Sequence, residues 1–83
     1  KVYRVRGDTD IEFIKETLKV NIPRGPYETI SGYIYHLYKG IPKQGEEVKT
    51  KDMQIKIMQA NPNGIKSIII TLLNDKEDKN EKK

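Results

Sequence analysis

His36 is the single histidine of the chain, and a catalytic imidazole needs a nucleophile or an orienting carboxylate beside it. On a helix its neighbours at three and four steps are Gly32, Tyr33, Lys39 and Gly40, which supply neither, so His36 reads as a surface residue. Asp8 and Asp10 offer oxygens to a divalent cation, but they stand at a helix start, where free N–H groups and the helix dipole favour carboxylates anyway. Capping is the leading reading there. Glu46, Glu47 and Asp52 flank a short strand without EF-hand spacing, which fits a solvated strand end. Tyr27, Tyr33, Tyr35 and Tyr38 are four of the five tyrosines, and such a cluster can stack on a base or a flavin ring. Tyr33 belongs to an apolar stripe and Tyr27 to a cap, leaving Tyr35 and Tyr38 to reach a ligand. The glycines form neither G-x-G-x-x-G nor a P-loop, so no phosphate cradle is visible. With no cysteine, a disulfide framework and thiolate metal sites are excluded.

The elements that must position these residues follow from periodicity. Tyr27 to Val48 organises the chain. Thr29 suits an N-cap, and Ile30, Tyr33, Ile34, Leu37 and Ile41 recur at three- and four-residue steps, the pattern of a helix with one buried stripe. Leu37→Ala is therefore expected to cost about 2–5 kcal/mol. Gly40 and Ile41-Pro42 end the helix, and Gln44-Gly45 turns the chain into a strand. Upstream, Val2 to Arg6 alternates as a short edge strand, with Tyr3 and Val5 on one face and Arg4 and Arg6 on the other. Gly7 breaks it. Thr9 and Glu12 have the spacing of a capping box for a helix running to about Lys19, with Ile11, Ile14 and Leu18 inward. Asn21 to Pro26 is a linker, since two prolines and a glycine resist both helix and sheet. Gly32 reads as a place where another element approaches the second helix closely.

Strands follow at 46–50, 53–60 and 65–73, the last two joined by a turn in which Asn63-Gly64 suits positive backbone angles. In the closing strand Ile68, Ile70 and Leu72 fill one face while Ile65, Ile69 and Leu73 are apolar on the other, so it should be central. The expected fold is α+β, ordered β-α-α-β-β-β, with two helices packed on one face of a small, mostly antiparallel sheet. Residues 1–73 make the domain. Residues 74–83 have no apolar side chain and read as a disordered charged tail, so truncation after Leu73 is expected to leave the melting temperature unchanged.

The string Tyr27-Glu28-Thr29-Ile30-Ser31-Gly32-Tyr33-Ile34, followed by Gly40-Ile41-Pro42-Lys43-Gln44-Gly45-Glu46, resembles the signature of the CorC/HlyC transporter-associated domain. Val5-x-Gly7 leading into Asp8-Thr9-Asp10 and the closing three strands match as well, so the resemblance spans about Val2 to Leu73. One departure is that the family's glycine stands a position earlier, where this chain has Lys39. The resemblance implies the C-terminal domain of a hemolysin-like membrane protein, after a transmembrane region and a CBS pair. It further implies a place on the cytoplasmic face of the membrane and a role in magnesium or cobalt efflux. It also brings a fold similar to part of certain FAD-binding oxidoreductases.

Composition sets the remaining bounds. At 83 residues the chain is one small domain, burying only about 60% of its unfolded surface. No apolar run approaches the roughly 20 residues that span a bilayer. A start at Lys1 without a signal-peptide pattern reads as a piece of a longer chain. The net charge of +4 lies wholly in residues 1–73, where the basic residues are scattered rather than massed. Nucleic acid is therefore not an expected partner, since phosphate binding rewards basic residues that act together. The leading functional expectation is a non-catalytic regulatory or interaction domain with no cofactor, and the alternative is an FAD or nucleotide binder. The apolar surplus on the closing strand marks Ile65, Ile69 and Leu73 as an interface for the parent chain or a homodimer, with Tyr35 and His36 as further candidates.

Overall fold

The computed structural model describes residues 1–73. Its elements are β1 (Val2–Arg6), α1 (Ile11–Leu18), α2 (Ile30–Tyr38), β2 (Glu47–Lys49), β3 (Met53–Asn61) and β4 (Gly64–Leu72). Alternation decides β3, where Met53, Ile55 and Ile57 are fully buried and the residues between them are not. Antiparallel pairing sets Ile55 opposite Ile70 and Ile57 opposite Ile68, which places these isoleucines on one face. The sheet is antiparallel throughout, in the order β1-β4-β3-β2, so β4 is central and β1 an edge. Both helices turn buried residues onto the same core, Ile11, Ile14 and Leu18 from α1 and Ile30, Tyr33 and Ile34 from α2. The expected α+β order is the observed one.

Several local readings are corrected. The cap of α1 is Asp10, whose carboxylate accepts from the Glu12 N–H at 2.8 Å, and not the Thr9–Glu12 box. The Thr9 carbonyl instead accepts from the Ile30 N–H at 2.9 Å. Thr29 caps α2 as expected, its hydroxyl accepting from the Gly32 N–H at 3.2 Å. The α2 stripe ends one turn early: Leu37 is 38% exposed and Ile41 is exposed too, because the inward arc is completed by Ser31 and Tyr33 rather than by the end of the helix. The linker is not a mere connector, since Ile22, like Val20 just before the linker, is buried in the core.

Both helices close on a lysine in the left-handed region, Lys19 at φ 59° and Lys39 at φ 65°. Lys39 thus does the work expected of Gly40, at the position where the resemblance places glycine. A side chain with a Cβ is strained there, so Lys39→Gly is expected to raise stability by about 0.5–1 kcal/mol in urea denaturation. Unchanged or lower stability would show that Lys39 makes a compensating contact.

The β3–β4 turn is centred on Pro62-Asn63, with Asn61 paired to Gly64. Asn at the first position, Pro at the second and Gly at the fourth are type I preferences, and the Asn61 side chain accepts from the Asn63 N–H at 2.8 Å. Just beyond the turn the register shifts between Ile57 and Gln59 and again between Gln59 and Ala60. Extra residues reset the alternation of β4, so Ile65, at 6% exposure, joins Ile68 and Ile70 in the core. The expectation for the 74–83 tail lies outside the described residues.

Candidate functional site

Most of the sequence string singled out above meets at one junction. The Gly7 carbonyl, just past β1, accepts from the Ser31 N–H at 3.0 Å and from the Ser31 hydroxyl at 2.5 Å. Ser31 is the buried polar residue of the core, and these bonds satisfy it. Asp10 and Thr29 form an antiparallel bridge, flanked by the Ile11 N–H donating to the Glu28 carbonyl at 2.8 Å. The starts of α1 and α2 therefore satisfy one another with main-chain bonds. Gly32 lies under Tyr27, where an added Cβ would stand 3.1 Å from the Tyr27 Cβ, as the close-approach reading expects. Tyr27 donates to the Pro23 carbonyl, and its ring lies 5.0 Å from Tyr33 and 5.5 Å from His36.

The residues with chemical potential are occupied by this architecture. Tyr35 is half-buried, and its hydroxyl accepts from the Ile65 N–H at 3.0 Å, tying α2 to β4. Tyr35→Phe should leave that part-buried donor unsatisfied and lower stability by about 1–2 kcal/mol in thermal unfolding. No measurable loss would mean that solvent reaches it. Tyr38 donates to Glu46, which also accepts from the Lys43 N–H at 3.2 Å, and these bonds hold the Glu46 carboxyl below its ordinary range. Glu47 accepts from Gln54 at 2.7 Å and Asp52 from the Asn21 N–H at 3.0 Å.

Asp8 pairs with Arg6 through two contacts at 3.1 and 3.0 Å, and the guanidinium holds its carboxyl below the usual range. A lowered carboxyl pKa stabilises the fold above the ordinary value and loses that contribution as pH falls through the lowered one. Among the described residues no three His, Cys, Asp or Glu side chains gather where they could hold a metal ion.

The expected interface does not assemble as a single patch. Ile65 is in the core, so it cannot join Ile69 and Leu73, which are half-buried. Ile69 faces away from the helices, between Arg4 on β1 and Lys56 on β3. His36 is exposed. Not anticipated was a groove of about 320 Å³ between the α2–β2 loop and the β3–β4 turn, lined mainly by Ile41, Pro42, Ala60 and Pro62. Its two walls are far apart in sequence and are joined by the Gln44 side chain accepting from the Ala60 N–H at 3.3 Å, a contact that no local pattern announces.

Residues 1–74, which include the junction of β1, α1 and α2, match the transporter-associated domain family CorC_HlyC. The chain belongs to the CorC/HlyC transporter-associated domain family. A chloroplastic DUF21 domain-containing protein of Arabidopsis thaliana is 41% identical over 49 residues, 58% of this chain. This chain spans 7% of that relative's length. Among solved structures, the Mg2+ and Co2+ transporter (CorC) associated region of Neisseria meningitidis superposes with a TM-score of 0.83 at 20% identity, covering 88% of this chain and 90% of the other. The CorC_HlyC domain of Haemophilus ducreyi gives 0.77 at 23% identity, covering 90% and 100%. The domain of a Xylella fastidiosa hemolysin, solved with Mg2+ and Mn2+, gives 0.75 at 23%, covering 88% and 89%. At these identities the structures share the fold.

No described helix of this CorC/HlyC domain is long and apolar enough to cross a membrane. The match to the DUF21 domain-containing protein covers a small part of a much longer chain.

Proposed function

We propose that this CorC/HlyC domain is a non-catalytic regulatory module of a hemolysin-like membrane protein. It lies on the cytoplasmic side, after a transmembrane region and a CBS pair, and modulates divalent cation transport of the magnesium and cobalt type. The observation that carries this reading is the family match across residues 1–74. It is supported by the engagement of Tyr35, Tyr38, Asp8, Asp10, Glu46, Glu47 and Asp52 in bonds that hold the fold. The Xylella fastidiosa domain was solved with Mg2+ and Mn2+. Among the described residues the carboxylates are dispersed, so we assign ion selection to the membrane region of the parent and its adjustment to this domain.

The test is transport by the parent protein in vesicles carrying an internal magnesium indicator, with and without residues 1–73. Deletion is expected to leave transport running while changing its dependence on cytoplasmic-side magnesium. An unchanged dependence, or complete loss of transport by a correctly inserted protein, would overturn the reading. We also propose that the domain takes no flavin, since Tyr27 packs against Tyr33 and His36 while Tyr35 and Tyr38 are hydrogen-bonded within the fold. After mixing with FAD and desalting, the protein is expected to show no visible absorbance.

A further inference from the structure

The sheet ends at β1, and no described residue pairs with its outer edge. Gly7 N–H donates to the Lys66 carbonyl at 3.0 Å and Leu72 N–H to the Lys1 carbonyl at 2.9 Å. In an antiparallel ladder alternate residues bond the same neighbour, so Lys1, Tyr3, Val5 and Gly7 face β4. The main-chain groups of Val2, Arg4 and Arg6 point the other way. The Arg6 carbonyl is taken by the Thr9 N–H at 3.2 Å, which leaves Val2 and Arg4 with both donor and acceptor open. The usual devices that blunt an edge are proline, a bulge, extreme shortness or charged side chains, and of these β1 carries only the charges of Arg4 and Arg6. The opposite edge, β2, has three residues, whereas β1 has five, with neither proline nor glycine and an unbroken register. Its Val2 and Tyr3 are 64% and 36% exposed.

We propose that this edge pairs with the same edge of a second copy, antiparallel about a two-fold axis through Tyr3. The charges select that register. Centring on Arg4 sets two guanidinium groups directly opposite, and centring on Val5 sets Arg4 against Arg6, both unfavourable for like charges in cross-strand positions. Centring on Val2 leaves Arg4 unpaired. Centring on Tyr3 sets Val2 opposite Arg4 in both directions, so the open donors and acceptors of both residues are satisfied. The Val2 side chain then lies along the aliphatic stem of the copy's Arg4, and the two Tyr3 rings meet on the face that carries Ile70. The two Arg4 residues sit diagonally across the seam, so added salt tightens the pairing by screening them, the reverse of an association held by opposite charges. This inference stands apart from the ion-transport reading.

The test is sedimentation equilibrium of the chain from micromolar to millimolar concentration, with circular dichroism as a control for folding. A monomer–dimer equilibrium is expected. Val2→Lys places an ammonium opposite Arg4 twice per dimer and should raise the dissociation constant roughly 2- to 30-fold, while Val2→Asp should lower it over a similar range. Arg4→Pro deletes an outward N–H without touching the β4 ladder and should abolish the dimer. Should Arg4→Pro fail to fold, the two Val2 variants decide, because that side chain is exposed. A monomer throughout the range overturns the proposal. So does a dimer whose constant ignores both Val2 variants or moves the same way in each.

Discussion

Gly7→Ala is expected to lower stability by about 3 kcal/mol or to prevent folding altogether. A Cβ at this position would land on the Ile65 carbonyl oxygen, 3.0 Å from its carbon and 3.1 Å from the Ser31 hydroxyl. Main-chain atoms of a central strand cannot turn aside as a flexible side chain can, so the added methyl must push β1 away from β4 or from α2. Either movement loosens the bonds from Gly7 N–H to Lys66 and from Ser31 to the Gly7 carbonyl. The need is for space rather than for an unusual backbone angle, since the positive-φ glycines are Gly40, Gly45 and Gly64. Urea denaturation measures the effect. A loss below about 0.5 kcal/mol would mean that the junction opens freely and is not the joint described above.

Ile34→Ala should cost about 2–5 kcal/mol, while Leu37→Ala, one turn further along α2, should cost less than about 1 kcal/mol. Ile34 is completely buried among the isoleucines of both layers, so truncation removes apolar contact and leaves a cavity that rigid neighbours cannot fill. Leu37 is 38% exposed, and water replaces much of what truncation removes. The contrast reverses the expectation drawn from periodicity alone, which assigned the large penalty to Leu37. Equal losses at the two positions would show that the end of α2 is covered in solution by another surface.

The amino-acid sequence by itself determined the element order, the centrality of β4, the Thr29 cap and the family. Each of these rests on spacing along the chain: a period of two in β3, of three and four in α1 and the start of α2, and a string of residues from Tyr27 to Ile34. Tertiary structure decided which apolar residues of a periodic stripe are covered. Leu37 keeps the helical spacing but falls where the sheet offers no partner, and Val20 and Ile22 lack the spacing yet drop into the core from an irregular segment. It also decided the face of Ile65, because the register shifts opposite Gln59 depend on how two strands pair, and residues within β4 alone carry no mark of them. The site followed the same division. Tyr35, His36, Asp8 and Asp10 were visible as groups with chemical potential, but what each meets was not: His36 lies against the Tyr27 ring, Asp8 pairs with Arg6, and Asp10 accepts from the Glu12 N–H at the start of α1. What consumes the Tyr35 hydroxyl is an N–H thirty residues away, brought within 3.0 Å by packing α2 on the sheet.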